Sequence, residues 1–347
     1  ICQAREASDA GNTGDESSVL SVVIDNVAPA VATATGITTD SGTSSTDGIT
    51  NDTTVVINGT AEAGATVEVF IDNVSHGTVL ANGSGQWQFD HTGTVLSDGD
   101  HEVLARVTDT AGNSQIGTTP FTITVDTSTP ATPAITSFSE DTAYIVPSGF
   151  PGLGTSFSDG VTKDNTITLN GTGDVGAIIT VLDGVTELGT ALVDGSGNWT
   201  YTTAALPDGN HSFTATASDI AGNESAASAA TVVTIDTVNP TAPVITGVST
   251  DTGTSSTDGL TNDTTFTIHG TGEAGTAIWL TSFQIPPGYT VIGGGLGTAL
   301  VDGNGDWSID LTGLTVYPNG DPFVFTDGSY GFFAESLDDA GNGSGFG

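Results

Sequence analysis

Apolar and polar positions alternate along most of the chain. The stretches "TTVVING" (53–59), "ATVEVFID" (65–72), "HEVLARVTD" (101–109) and "PFTITVD" (120–126) keep a period of two and are rich in valine, isoleucine and threonine. In an extended backbone that period sends one set of side chains to each face, so each stretch predicts a half-buried strand. Asn-Gly and Asp-Gly pairs, drawn from 48 glycines, interrupt the runs where hairpin turns need positive φ. No stretch holds a helical period long enough to predict a helix.

The strand pattern recurs with its landmarks in fixed order. Linker-like pieces "VIDNVAP" (23–29), "VDTSTP" (125–130) and "IDTVNP" (235–240) are each followed by an acidic stretch. Then come "INGTAEAGATVEVFID" (57–72), "LNGTGDVGAIITVLD" (169–183) and "IHGTGEAGTAIWL" (268–280). Three "GxGxW" turns lead to Trp87, Trp199 and Trp307, and each copy closes on "DTAGN" (109–113), "DIAGN" (219–223) or "DDAGN" (338–342). Such order predicts tandem homologous domains at 25–126, 127–236 and 237–347, the third expected to lack its last strand, with 1–24 supplying the last strands of a preceding repeat or a donor strand. Roughly seven short strands per hundred residues, turned every 8–12 residues, predict an all-β chain of tandem immunoglobulin-like β-sandwich domains, arranged as an elongated rod. The three tryptophans are expected in the cores.

Charge changes the picture. Forty-one acidic residues face three basic ones, Arg5, Arg106 and Lys163, for a net charge of −38. That field repels phosphate backbones and anionic membranes, so nucleic acid is excluded as a partner class. Almost no carboxylate can find a side-chain counter-ion, and hard divalent cations held by carboxylate, amide and backbone oxygens are the candidates to neutralise the clustered ones. Cys2 is the single cysteine, which rules out a disulfide within the chain and a thiolate metal site. No apolar run is long enough for a transmembrane helix, so no membrane insertion is expected of this segment.

The linker aspartates Asp25, Asp126 and Asp236, the "NGTxExG" turn around Glu62, the "GxGxW" turns and the "DxAGN" loops together resemble the bacterial immunoglobulin-like repeats of giant biofilm-associated and type I-secreted adhesins. The resemblance runs over essentially the whole chain. It implies rigid extender domains at the bacterial cell surface that project an adhesive tip, with calcium between or within the domains. It also implies roles in cell adhesion and biofilm formation. The expected partners are neighbouring repeats or like subunits, and host-cell or biofilm-matrix components outside.

In a sandwich of this type the loop after the second strand, the loop between the last two strands and the incoming linker share one end. The first domain contributes Glu62, Asp109, Asn113 and Asp25 there. The second contributes Asp174, Asp219, Asn223 and Asp126, and the third Glu273, Asp338 or Asp339, Asn342 and Asp236. Three carboxylates gathered without a cation would raise one another's pKa, whereas calcium accepts six to eight oxygens in loose geometry. Calcium is therefore the expected cofactor, and the competing reading is that Ala-Gly-Asn only makes the turn.

A second acidic set lies in "TTDSGTSSTDGITND" (38–52), with Asp40, Asp47 and Asp52, and returns at 249–263 as Asp251, Asp258 and Asp263. The middle domain keeps Asp141, Asp159 and Asp164 at the ends of a longer loop. These loops are expected at the opposite pole; their spacing is not that of an EF-hand, and a second calcium site there competes with a solvated polar loop.

No catalytic motif stands out, and the five histidines form no metal-ligand spacing, so no enzyme is expected. One alternative for the whole chain is a subunit of an extracellular filament, polymerised when the N-terminal strand "SSVLSVVID" (17–25) completes a neighbour's sheet. Residues 281–297 and 316–333 are the expected partner surface if the domains themselves adhere.

Overall fold

The computed structural model describes residues 4–7, 9, 11, 13–16, 18, 20–139, 159–249, 251–255, 258–285, 295–312 and 325–345, and every regular element among them is a β-strand. Asp141 and most of the two expected partner stretches lie outside the described residues.

Two short strands, β1 (Arg5–Ala7) and β2 (Thr13–Glu16), pair antiparallel at the start. The first repeat then forms β3 (Thr33–Ile37), β4 (Ile49–Thr50), β5 (Val56–Thr60), β6 (Thr66–Ile71), β7 (Val74–Leu80), β8 (Gln86–Asp90), β9 (Gly99–Thr108), β10 (Ser114–Ile116) and β11 (Phe121–Val125). One sheet runs β3-β5-β8. The other runs β4-β11-β9-β6-β7, with β10 beside β9. The β4–β11 pair is parallel and the rest are antiparallel, the arrangement that lets a chain cross between the sheets of a sandwich.

The alternation of the sequence becomes the alternation of burial. Val67, Val69 and Ile71 of β6 point inward, are at most 2% exposed, and share one core cluster with Ile57, Val103, Ala105, Val107 and Ile123. Each such side chain stabilises the fold by roughly 1.5–3 kcal/mol relative to full exposure. The hairpin between β6 and β7 turns at Asp72 and Asn73, whose φ values of 51° and 65° are those of a tight turn matched to strand twist.

The second repeat repeats this order. Ala134–Phe138, Thr168–Thr172 and Asn198–Thr202 make one sheet, and Val161–Thr162, Thr231–Ile235, Gly209–Ser218, Ile178–Asp183 and Thr186–Leu192 the other. In the third, Val244–Val248, Thr267–Thr271 and Asp306–Asp310 form one sheet, and Gly295–Leu300, Ala277–Ile285 and Ser329–Leu337 form another. The first strand of each repeat carries a bulge at the same place, between Ala34 and Gly36, Ile135 and Ser137, and Ile245 and Gly247. Each repeat has its own apolar core, and Trp87, Trp199 and Trp307 are 3%, 2% and 3% exposed within them, as expected.

By packing, the chain divides into two compact units, Ile1–Pro130 with Ser218–Ser225, and Ala131–Ala217 with Ala226–Gly347. The loop 219–223, part of the second repeat by sequence, thus belongs to the first unit. No helix is long and apolar enough to cross a membrane among the described residues.

Candidate metal centre

Each DxAGN loop folds around its aspartate. Asp109 Oδ1 accepts the amides of Ala111 (2.8 Å) and Asn113 (2.9 Å), and Gly112, at φ 94°, lets the chain return. The Asn113 side chain then donates to Asp109 Oδ2 at 2.9 Å and to the main-chain carbonyl of Asp25 at 3.3 Å. The Asn113 amide holds the Asp109 carboxyl below the usual carboxylate value, with backbone amides of the loop adding to it.

The corner recurs with nearly the same distances. Asn223 Nδ2 stands 2.8 Å from Asp219 Oδ2 and 2.8 Å from the Asp126 carbonyl; Asn342 Nδ2 stands 2.9 Å from Asp338 Oδ2 and 2.9 Å from the Asp236 carbonyl. Of the two candidates in the third loop, Asp338 forms the corner, while Asp339 is exposed. The linker carboxylates fold back on their own chain, accepting the amides of Val27, Ser128 and Val238.

At two ends the remaining acid ties down the residue after the linker proline: Asp174 accepts the Ala131 amide at 2.7 Å and Glu273 the Thr241 amide at 2.9 Å. All three acids, Glu62 included, are exposed. The structure thus places linker, loop aspartate and asparagine together three times. Among the described residues, however, no three His, Cys, Asp or Glu side chains stand close enough to hold an ion.

In the first two repeats the loop of the second acidic set abuts the outgoing linker: the amide of linker Asp126 donates to Thr50 O and that of Asp236 to Thr162 O. Most of its carboxylates cap turns. Asp47, Asp159 and Asp258 accept the amides of Ile49, Val161 and Leu260, and Asp52, Asp164 and Asp263 those of Thr54, Thr166 and Thr265. Burial works to raise the Asp52 carboxyl, but hydrogen bonds from Thr39 and Thr54 hold it below the usual value. Asp40 and Asp251, equivalent in the first and third repeats, differ from the rest. One oxygen of each accepts the amide of Gly48 or Gly259, and the other, Oδ1, is buried with no hydrogen-bond partner among the described residues. A buried carboxylate oxygen without a donor is costly, and a hard cation is one group that would satisfy it. On donor chemistry the two acidic sets, all oxygen, fit calcium better than a soft transition metal.

Sequence spacing carried no sign of one further contact. Ser41 and Thr43 of the first acidic loop bond to Ala221 O (2.8 Å) and Ile220 O (3.2 Å), about 180 residues away. Likewise Lys163, the single lysine, donates to Gly341 O at 2.8 Å.

The pattern of the bacterial Ig-like domain matches residues 27–127 and 153–237, more than half of the chain. Among solved structures, a Ca2+-stabilized adhesin with which an Antarctic bacterium binds ice is 24% identical, over 98% of this chain and 78% of that one, at a TM-score of 0.39. A 1.5-MDa bacterial ice-binding adhesin is 21% identical over 86% and 88%, at 0.30. Fibronectin(III)-like modules of Clostridium thermocellum CbhA are 12% identical over 61% and 91%, at 0.35. No curated protein matches. The chain, built from repeated β-sandwiches with these landmarks, belongs to the bacterial Ig-like domain family.

Proposed function

We propose that the chain is an extender segment of a large bacterial surface adhesin, stiffened by calcium at the joints between its repeats. Its work is mechanical, supporting cell adhesion and biofilm formation outside the cell, and no substrate is converted. One observation carries this reading: the same corner of loop aspartate, asparagine and linker carbonyl recurs at three linkers. A corner that recurs at linkers, and not within one core, serves the connection between domains.

Calcium would be held by the oxygens these corners bring in. The loop aspartates Asp109, Asp219 and Asp338 supply carboxylates, and Asp25, Asp126 and Asp236 a carbonyl and a carboxylate each. Glu62, Asp174 and Glu273 are further carboxylates of the same ends. Turned over about its last torsion, the asparagine presents Oδ1 in place of Nδ2 and becomes an acceptor. At the second set, Asp40 and Asp251 supply the oxygens that lack a donor. Bound calcium neutralises clustered carboxylates in a chain of net charge −38 and opposes local opening of the linker by its binding free energy.

The test is small-angle scattering and thermal unfolding of residues 1–347 in about 1 mM calcium, the weak extracellular range, and again with excess chelator. The expected outcome is a shorter or bent particle and a lower melting temperature on chelation. Two indifferent profiles would remove calcium from the account.

A further inference from the structure

The contact of Ser41–Thr43 with loop 219–223 is closed by main chain and hydroxyl alone. Ser41 Oγ lies 2.8 Å from Ala221 O, and the Thr43 amide 3.2 Å from Ile220 O. Two glycines face each other in it. A Cβ on Gly42 would stand 2.0 Å from Ile220 O, and one on Gly222 would stand 2.9 Å from the Gly42 nitrogen. Only a partner bare of side chains can approach so closely. Under this contact Ala221 is 0% exposed, and Ala340, at the same place in the third repeat, is 1% exposed.

Both elements occur once more with nothing seated on them among the described residues. In the first repeat, Thr110, Ala111 and Gly112 are exposed, and a Cβ on Gly112 would meet nothing within 4 Å. Their loop is nevertheless held by the same aspartate and asparagine as loop 219–223. In the third repeat, Thr252 stands where Ser41 does. Its hydroxyl lies 2.6 Å from Asn262 Oδ1 and 3.1 Å from Thr261 Oγ1 and accepts the Asn262 amide at 3.0 Å. Ser41 has the same three neighbours in Asn51, Thr50 and the Asn51 amide, at 2.8, 2.9 and 2.9 Å. Thr252 and Gly253 are exposed.

We infer that the Thr110–Gly112 loop and the Thr252–Gly253 turn are the two open halves of one joint, each shaped to seat another repeat of this kind. The partner is a like Ig-like repeat, on a second copy or elsewhere in a longer array, because the seat requires a glycine opposite a glycine and a hydroxyl opposite a carbonyl. No charged side chain takes part in the Ser41–Ala221 contact, so two copies of this acidic chain can meet there once salt screens their repulsion. The inference rests on the extender reading, but the joint itself uses no cation.

Linked modules meet at effective concentrations in the millimolar range, so free copies should meet weakly, with a Kd on the order of 1 mM. Amide NMR spectra of the full chain are therefore compared between about 0.05 and 1 mM protein, in chelator and high salt. The expected result is concentration-dependent shifts at the amides of 110–112 and 252–254. Ala111→Arg and, separately, Gly253→Arg should each abolish the shifts at both loops while leaving the remaining spectrum in place. Absence of shifts at about 1 mM, or shifts that survive both substitutions, overturns the joint. Because chelator is present throughout, that failure is distinct from a failure of the calcium reading, which scattering and melting decide.

Discussion

At the scale of single residues, the corner asparagine separates two ways of closing a linker. As an amide donor, Asn342 satisfies two oxygens at once, Asp338 Oδ2 and the Asp236 carbonyl. Asn342→Asp removes that donor and places a second carboxylate beside Asp338. In chelator the variant should lose about 1–3 kcal/mol in urea unfolding, the cost of leaving partly buried acceptors unpaired. Millimolar calcium should restore most of the loss; a loss indifferent to calcium would mean that the corner is a turn and nothing more.

Two histidines give a pH dependence of their own. His101 sets Nδ1 2.7 Å from Asp72 Oδ2 and Nε2 2.8 Å from Ser97 O, and His211 sets the same atoms 2.6 Å from Asp183 Oδ2 and 2.9 Å from Pro207 O. Carboxylate and carbonyl only accept, so both bonds form together only when both ring nitrogens carry protons. Burial opposes that charge, but the carboxylate and carbonyl outweigh it, and both histidines are raised above their ordinary value. The stabilisation is complete below the unfolded pKa of about 6.5 and is lost as pH rises through the raised folded value. Asp72→Asn should lower the His101 titration seen in imidazole proton shifts and weaken the alkaline loss of stability; an unmoved titration would contradict the pairing. In the third repeat Tyr330 bonds to Thr326 O from the corresponding position.

At the scale of elements, each sandwich carries a buried tryptophan lying across a glycine of the neighbouring strand. A Cβ on Gly171 would stand 2.2 Å from Ala134 O and 2.3 Å from the Trp199 ring, and Gly59 and Gly270 are as crowded by Trp87 and Trp307. Trp199→Ala should cost about 3–5 kcal/mol through the cavity it leaves, and Gly171→Ala about 1–3 kcal/mol through overpacking, both read from urea midpoints. A neutral Gly171→Ala would show that the strand can yield. The strands themselves were legible from alternation, as in β6, whose odd positions from Val67 to Ile71 are the buried ones. Less legible was the use of the acidic loops. Asp47, Asp52 and their equivalents cap turns two residues ahead, a local role that a count of carboxylates does not distinguish from metal ligation.

At the scale of the whole molecule, 41 acids against three bases make self-repulsion a cost that any cation relieves by screening. Specific binding and screening separate in one melting series: calcium at about 1 mM should raise the melting temperature more than sodium chloride of equal ionic strength. Equal effects would reduce the acidic surface to a solvated one. The chain's sequence was sufficient for the repeat, the strand periods, the buried tryptophans and the grouping of linker with DxAGN loop, because all of these follow from local spacing and burial preference. It was not sufficient for the arrangement inside each corner, where an amide, not a third carboxylate, stands between two oxygens. Nor did it show Ser41 on Ala221 or Lys163 on Gly341. Those depend on main-chain atoms brought together from segments far apart in the chain, and main-chain atoms leave no mark in a residue pattern.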